Sequence, residues 1–125
     1  MSKQSLGVQN GKLTPCPSSP NCVSTQSDDS SKKMESLPFE EDLNKTKQKV
    51  KTILESYPRT EIQKEDDHYI HATFKTKLFR FTDDVEFYFD EEEQVVHFRS
   101  ASRVGYSDLG KNRSRMEEIQ KLYHK

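Results

Sequence analysis

The sequence predicts an α+β domain: an antiparallel sheet of about four strands with an N-terminal and a C-terminal helix packed on one face. Three observations carry this. An amphipathic stretch precedes the strand-like segments, the strand segments alternate polar and apolar residues, and a second amphipathic stretch closes the chain. With 125 residues there is room for one such domain.

Residues 1–36 are rich in Ser, Gln, Asn, Lys and Asp and lack either period, so they read as a mostly irregular N-terminal segment. Within it, Pro15, Pro17 and Pro20 stiffen a loop flanked by Cys16 and Cys22. The single folded domain is expected over 37–125. Ser36-Leu37-Pro38 reads as the helix start, because Pro suits a first turn and Glu40, Glu41 and Asp42 suit the positive end of the dipole. Leu43, Val50, Ile53, Leu54 and Tyr57 then share one face, and Pro58 stops the helix.

Arg59–Lys64 is a weak strand, followed by the polar turn Glu65-Asp66-Asp67. His68–Thr76 alternates, with Ile70, Ala72 and Phe74 on one side. Phe79, Phe81, Val85, Phe87 and Phe89 share a parity that Asp83 interrupts; Val96 and Phe98 continue the apolar side in the last strand. Asp108 can cap a helix whose inward stripe is Met116, Ile119 and Leu122 or Tyr123.

If core residues face core residues, Phe87 sits opposite Phe98 and Phe89 opposite Val96, with Glu91–Gln94 as the loop. Glu86 then faces Arg99, Tyr88 faces His97, and Thr82 faces Arg103; a slip of two residues puts Asp84 opposite Arg99 instead. The polar side carries His71, Lys75, Arg80, Glu86, His97 and Arg99. A cross-strand ion pair on a solvated face accounts for this pattern at about 0.2–1 kcal/mol. The competing reading is an acid–base site using Glu86 or Asp84 with His97 or His71. Catalysis is left open by the sequence.

The loop Ser100–Gly110 delivers Ser102, Arg103, Tyr106 and Ser107 to a helix N-terminus, where backbone N–H groups favour an anion. Arg99, Ser102, Arg103, Tyr106 and Arg113 are therefore the expected ligand-binding set, for a carboxylate or phosphate. Against this, Arg103 can pair with Asp83 or Asp84, and a capping Asp108 repels an anion. Asp83, Asp84 and Glu86 are a poor cation site, since neighbours on a strand point to opposite faces. No metal and no cofactor are expected.

Five residues separate Cys16 from Cys22, more than redox and zinc motifs use. The pair reads as a disulfide or redox pair, as half a metal site completed by His68 or His124, or as two small residues packing a loop. No apolar run is long enough to cross a bilayer and the first twelve residues carry no signal-like apolar core, so no membrane partner and a cytoplasmic address are expected. In that compartment the thiols stay reduced, which favours loop packing. Net charge −1 argues against nucleic acid.

Three pieces also carry a resemblance: Cys16-Pro17-Ser18-Ser19-Pro20-Asn21-Cys22-Val23-Ser24, Asp83-Asp84-Val85-Glu86-Phe87, and Arg99-Ser100-Ala101-Ser102-Arg103-Val104-Gly105-Tyr106-Ser107-Asp108-Leu109-Gly110. In this order and spacing the chain resembles the domain-of-unknown-function 1499 family over nearly its whole length. Lys111 departs from the small apolar residue expected before Asn112. The resemblance implies a known domain type and no reaction. The functional expectation is thus a small domain binding an anionic small molecule or a protein carboxylate, ahead of a protein-interaction module and of an acid–base enzyme.

Overall fold

The computed structural model describes residues 6–78, 81–105 and 108–125. In chain order the elements are β1 (Val8–Gln9), β2 (Lys12–Leu13), β3 (Cys22–Ser24), β4 (Leu37–Pro38), α1 (Leu43–Glu55), β5 (Thr60–Asp66), β6 (Tyr69–Lys75), β7 (Thr82–Asp90), β8 (Val95–Ser102) and α2 (Lys111–Tyr123). The class is α+β, as alternation and helical periodicity predict. The sheet is larger than the expected four strands: among the described residues it has six, in the order β3-β8-β7-β6-β5 with β4 also on β8, and β1 and β2 form a separate hairpin.

The additional strands come from chain that has no period to betray it. β3 pairs antiparallel with β8, Cys22 opposite Ala101 and Ser24 opposite Arg99, and β4 continues the same edge with Leu37 opposite Val96. Strands of two or three residues are too short to show alternation. Leu37-Pro38 is therefore strand and not helix start. α1 begins five residues after Pro38, with Asp42 as N-cap accepting from the Lys45 amide at 2.8 Å. Glu40 and Glu41 precede the helix and its first turn holds no acid.

β6, β7 and β8 follow the expected register: Phe87 opposite Phe98, Phe89 opposite Val96, Glu86 opposite Arg99 and Tyr88 opposite His97. One sheet face packs Ile70, Ala72, Val85, Phe87, Phe89, Val96 and Phe98 against Val50, Ile53 and Leu54 of α1 and Met116, Ile119 and Tyr123 of α2. Phe81, expected on that core face, is 51% exposed. Phe79, expected beside it, and Arg80 lie outside the described residues.

Candidate functional site

The pleat sends alternate side chains of β6, β7 and β8 to the face away from the helices. Tyr69, His71, Asp84, Glu86, Tyr88, His97 and Arg99 meet there through the pairs Tyr69–Tyr88, His71–Glu86, Glu86–Arg99 and Tyr88–His97. This face is not open to water. The N-terminal segment crosses it, and Glu86 and Arg99 have no exposed surface.

Glu86 Oε2 accepts hydrogen bonds from the Gly7 amide at 2.7 Å and the Tyr69 hydroxyl at 2.5 Å. Its Oε1 lies 3.7 Å from Arg99 Nη1 and has no hydrogen-bond partner among the described residues. Burial and the Glu86 carboxylate both push the Tyr69 phenol far up, so it stays a donor. Beside them His71 Nε2 meets Asp84 Oδ1 at 2.7 Å, and Arg103 grips both Asp84 oxygens, Nε to Oδ2 at 2.9 Å and Nη2 to Oδ1 at 3.0 Å. Burial alone would raise the Asp84 carboxyl, but the bonds from His71 and Arg103 outweigh it and bring it down to about 2.

Chemically, this is a buried ionic network under a lid, with Glu86 and Arg99 held as a 3.7 Å ion pair at its centre. Three of the four acid–base candidates named from the sequence, Glu86, Asp84 and His71, lie on it, yet a substrate reaches Glu86 only by displacing the hairpin, and both oxygens of Asp84 are engaged. His97 stands apart, its Nδ1 2.9 Å from Thr25 Oγ1 and its ring stacked on Tyr88. Its ligand atom lies within 4.8 Å of those of Asp90 and Glu93, the group best placed among the described residues to hold a divalent ion.

Among the described residues, Arg99, Ser102, Arg103 and Arg113 of the expected ligand-binding set point to different partners. Arg99 is sealed in the network and Arg103 is committed to Asp84. Ser102 points to the helix face, where its Oγ accepts from Asn112 Nδ2 at 3.0 Å. Arg113 turns away and donates to the Ser31 carbonyl at 2.8 Å. Tyr106 and Ser107 lie outside the described residues. Asp108 occupies the start of α2, accepting from the Gly110 and Asn112 amides at 2.8 and 3.0 Å. Burial raises its carboxyl, but these hydrogen bonds prevail and hold it below the usual value. An anion arriving there meets a carboxylate already in place.

Sequence reasoning missed Asn112. It is fully buried, and its Oδ1 accepts from Ser100 Oγ at 2.6 Å and Arg115 Nη1 at 2.8 Å, while Nδ2 faces Asp108, Ser102 and the Asn21 carbonyl. Its position four residues before Met116, on the inward stripe, was the signal. Arg115 goes on to Asp83 Oδ2 at 2.6 Å, so the two adjacent acids each hold an arginine on opposite faces. The Cys16–Cys22 loop buttresses this cluster: the Asn21 carbonyl accepts from the Ser102 amide and Asn21 Nδ2 donates to the Gly105 carbonyl.

The two cysteines form a disulfide, where the cytoplasmic expectation favoured free thiols packing a loop. β3 fixes Cys22 against β8, and the intervening prolines turn the loop so that the two Cα atoms stand 5.7 Å apart, within disulfide reach. Among the described residues no helix is long and apolar enough to cross a membrane.

Among the described residues, two clefts stand out. The larger, about 740 Å³, is walled by the N-terminal segment, where Lys12 and Lys32 are balanced by Asp28 and Asp29. The smaller, about 410 Å³, lies between the α1–β5 corner, the end of β6 and the start of α2.

No curated protein and no solved structure matches the chain. A family profile described as a protein of unknown function (DUF1499) matches residues 12–122, a span that contains all three motifs. With most of its length matched, from the strand before the disulfide loop to the last turn of α2, the chain belongs to the DUF1499 family.

Proposed function

We propose that this domain binds an anionic small molecule, carrying a phosphate or carboxylate, in the cleft at the start of α2. The observation that supports it is the charge of the wall. Arg59, Lys75, Lys77, Lys111 and Arg115 line the cleft with a single carboxylate, Glu118. Glu118 is itself taken, accepting from the Tyr57 hydroxyl at 2.6 Å. Arg115 is paired with Asp83, but Lys75, Lys77 and Lys111 make no ion pair among the described residues.

Tyr57 supplies an apolar wall, its ring edge to face with Phe74 at 5.4 Å, and the Arg115 guanidinium covers the Phe74 ring at 4.7 Å. A flat organic body against that wall with its charge toward the lysines suits such a place. The larger cleft is less suited: its charges cancel, and the Lys32 ammonium is spent on the Ser19 carbonyl at 3.0 Å.

A thermal-shift titration with inorganic phosphate and with citrate tests the reading. A ligand at a hundred times its dissociation constant adds about 2.7 kcal/mol to stability. Lys75→Gln with Lys111→Gln should abolish the shift, and Arg103→Ala should keep it. A shift that survives the lysine changes and is lost with Arg103 would return the site to the β8–α2 loop.

A further inference from the structure

The charges of this chain nearly cancel, yet they are separated in space. Asp66 and Asp67 at the β5–β6 turn and Asp90 to Glu93 at the β7–β8 turn lie at one end of the sheet, joined by His68 Nε2 to Glu91 at 2.7 Å; Glu65 beside them is balanced by Lys47 and Lys51 of α1, at 3.4 and 3.1 Å. Arg59, Lys75, Lys77, Arg103 and Lys111 lie at the other end. There the Lys75 amide bonds the Arg59 carbonyl, the Arg103 amide bonds the Thr82 carbonyl, and Lys77 and Lys111 share the smaller cleft.

Most acids at the basic end are occupied. Asp83 holds Arg115, Asp84 holds Arg103, Asp108 holds the start of α2 and Glu118 holds Tyr57. Glu55 and Glu61 lie toward the α1–β5 side.

The same end carries four of the five large apolar side chains that are exposed among the described residues: Leu78 at 81%, Phe81, Val104 and Leu109 at 95%. They belong together. The Arg103–Thr82 bond extends the β7–β8 pairing to the residues beside Phe81 and Val104, while Leu78 follows Lys77 and Leu109 precedes α2 by two residues. Leu109 is moreover held at a φ of 56°, a left-handed conformation costly for a branched side chain. Apolar residues raised on turns, with cations between them and a carboxylate-rich pole behind, form an amphipathic edge with a direction.

We propose that this edge docks on the surface of an anionic lipid bilayer. Leu78 and Leu109 enter the headgroup layer, with Phe81 and Val104 behind them. Lys75, Lys77 and Lys111 meet lipid phosphates. No spanning segment is needed, and the acidic pole is repelled to the far side, which sets the orientation. Separate convex tips suit a fluid interface, which closes around each one; a folded protein partner would need a matching pocket for each. The proposal rests on the anion-binding reading of the cleft and names the source of the anion.

The test is vesicle flotation with the full chain, on phosphatidylcholine alone and on phosphatidylcholine containing phosphatidylserine, beside the phosphate titration. The wild type should float only with anionic vesicles, and less as salt rises. Lys77→Gln with Lys111→Gln should cut partitioning by roughly twenty-five-fold, about fivefold per charge, and also weaken free phosphate. Leu78→Ser with Leu109→Ser, at positions too exposed to threaten the fold, should lose the vesicles and keep the phosphate shift. Flotation unchanged by the leucine pair overturns the proposal, as does no flotation at low salt while phosphate still binds. Capture by polyglutamate without flotation also overturns it and points to an acidic protein. Loss of the phosphate shift in the wild type itself would overturn the anion reading instead.

Discussion

The Gly7 amide and the Glu86 carboxylate, 79 residues apart in the chain, are joined by a 2.7 Å hydrogen bond that ties the N-terminal segment to the buried middle of the sheet. Gly7 sits at a φ of 106°, open to glycine and strained for other residues, and Glu86 has no exposed surface. Removing residues 1–11 deletes the donor and the hairpin together. The expected cost is about 1–3 kcal/mol for a buried acceptor losing a partner. Urea unfolding of the shortened chain checks it, and an unchanged midpoint would show that the hairpin is ornamental.

Arg99→Met should be far worse, at about 3–5 kcal/mol, because it strands the Glu86 charge in a sealed site. Changing both residues, Glu86→Leu with Arg99→Met, should recover much of that loss. The double-mutant cycle then measures the pair; additive losses would mean that the two residues do not interact.

Acid should weaken the fold through Asp84. Its carboxyl lies near 2 in the folded chain and near the ordinary aspartate value of about 3.9 when unfolded. The stabilisation, on the order of 2 kcal/mol, is fully present above about pH 4 and lost as pH falls toward 2. Asp84→Asn should flatten stability against pH in that window. Arg103→Ala should move the Asp84 carboxyl upward, which carbon NMR titration reads directly.

The disulfide predicts a redox-dependent stability. It closes a short loop, with a sequence separation of 6, for which the chain-entropy account gives about 2 kcal/mol. Reduction should lower the melting temperature accordingly. It should also speed amide exchange at Ser102, whose N–H is held by the Asn21 carbonyl. Faster exchange elsewhere with Ser102 unchanged would separate the disulfide from the β8–α2 loop.

Much of this was legible where a period had room to repeat. Nine residues of β7 and eight of β8 suffice to set parity, which puts Glu86 and Arg99 on one face; the register that sets them opposite, rather than Asp84, comes from packing Phe87 on Phe98. The same logic misplaces the start of α1, because Pro38 in an edge strand and Pro in a first helical turn obey the same restriction, a missing N–H that need not be satisfied. What hid the fate of the polar face was the segment covering it. A hairpin of two-residue strands held by single hydrogen bonds leaves no hydrophobic signature, so a sealed network looked like a solvated face or an open pocket. Within the expected ligand set, Ser102 ends β8 and turns to Asn112 while Arg103, just beyond the strand, turns to Asp84. The basic cleft gathers Arg59, Lys75 and Lys111 from three distant stretches, a convergence that only the tertiary fold creates.

The pairing of β3 with β8 also carries a consequence for how the chain comes into being. Cys22 finds its neighbour at Ala101, and β4 follows on the same partner strand. During synthesis the first quarter of the protein leaves the ribosome long before the strand it must lie against exists. The hairpins of the middle can form as they emerge, while the N-terminal segment waits. By this logic the part made first is expected to be placed last, with the Glu86–Arg99 pair covered only when the N-terminal segment docks.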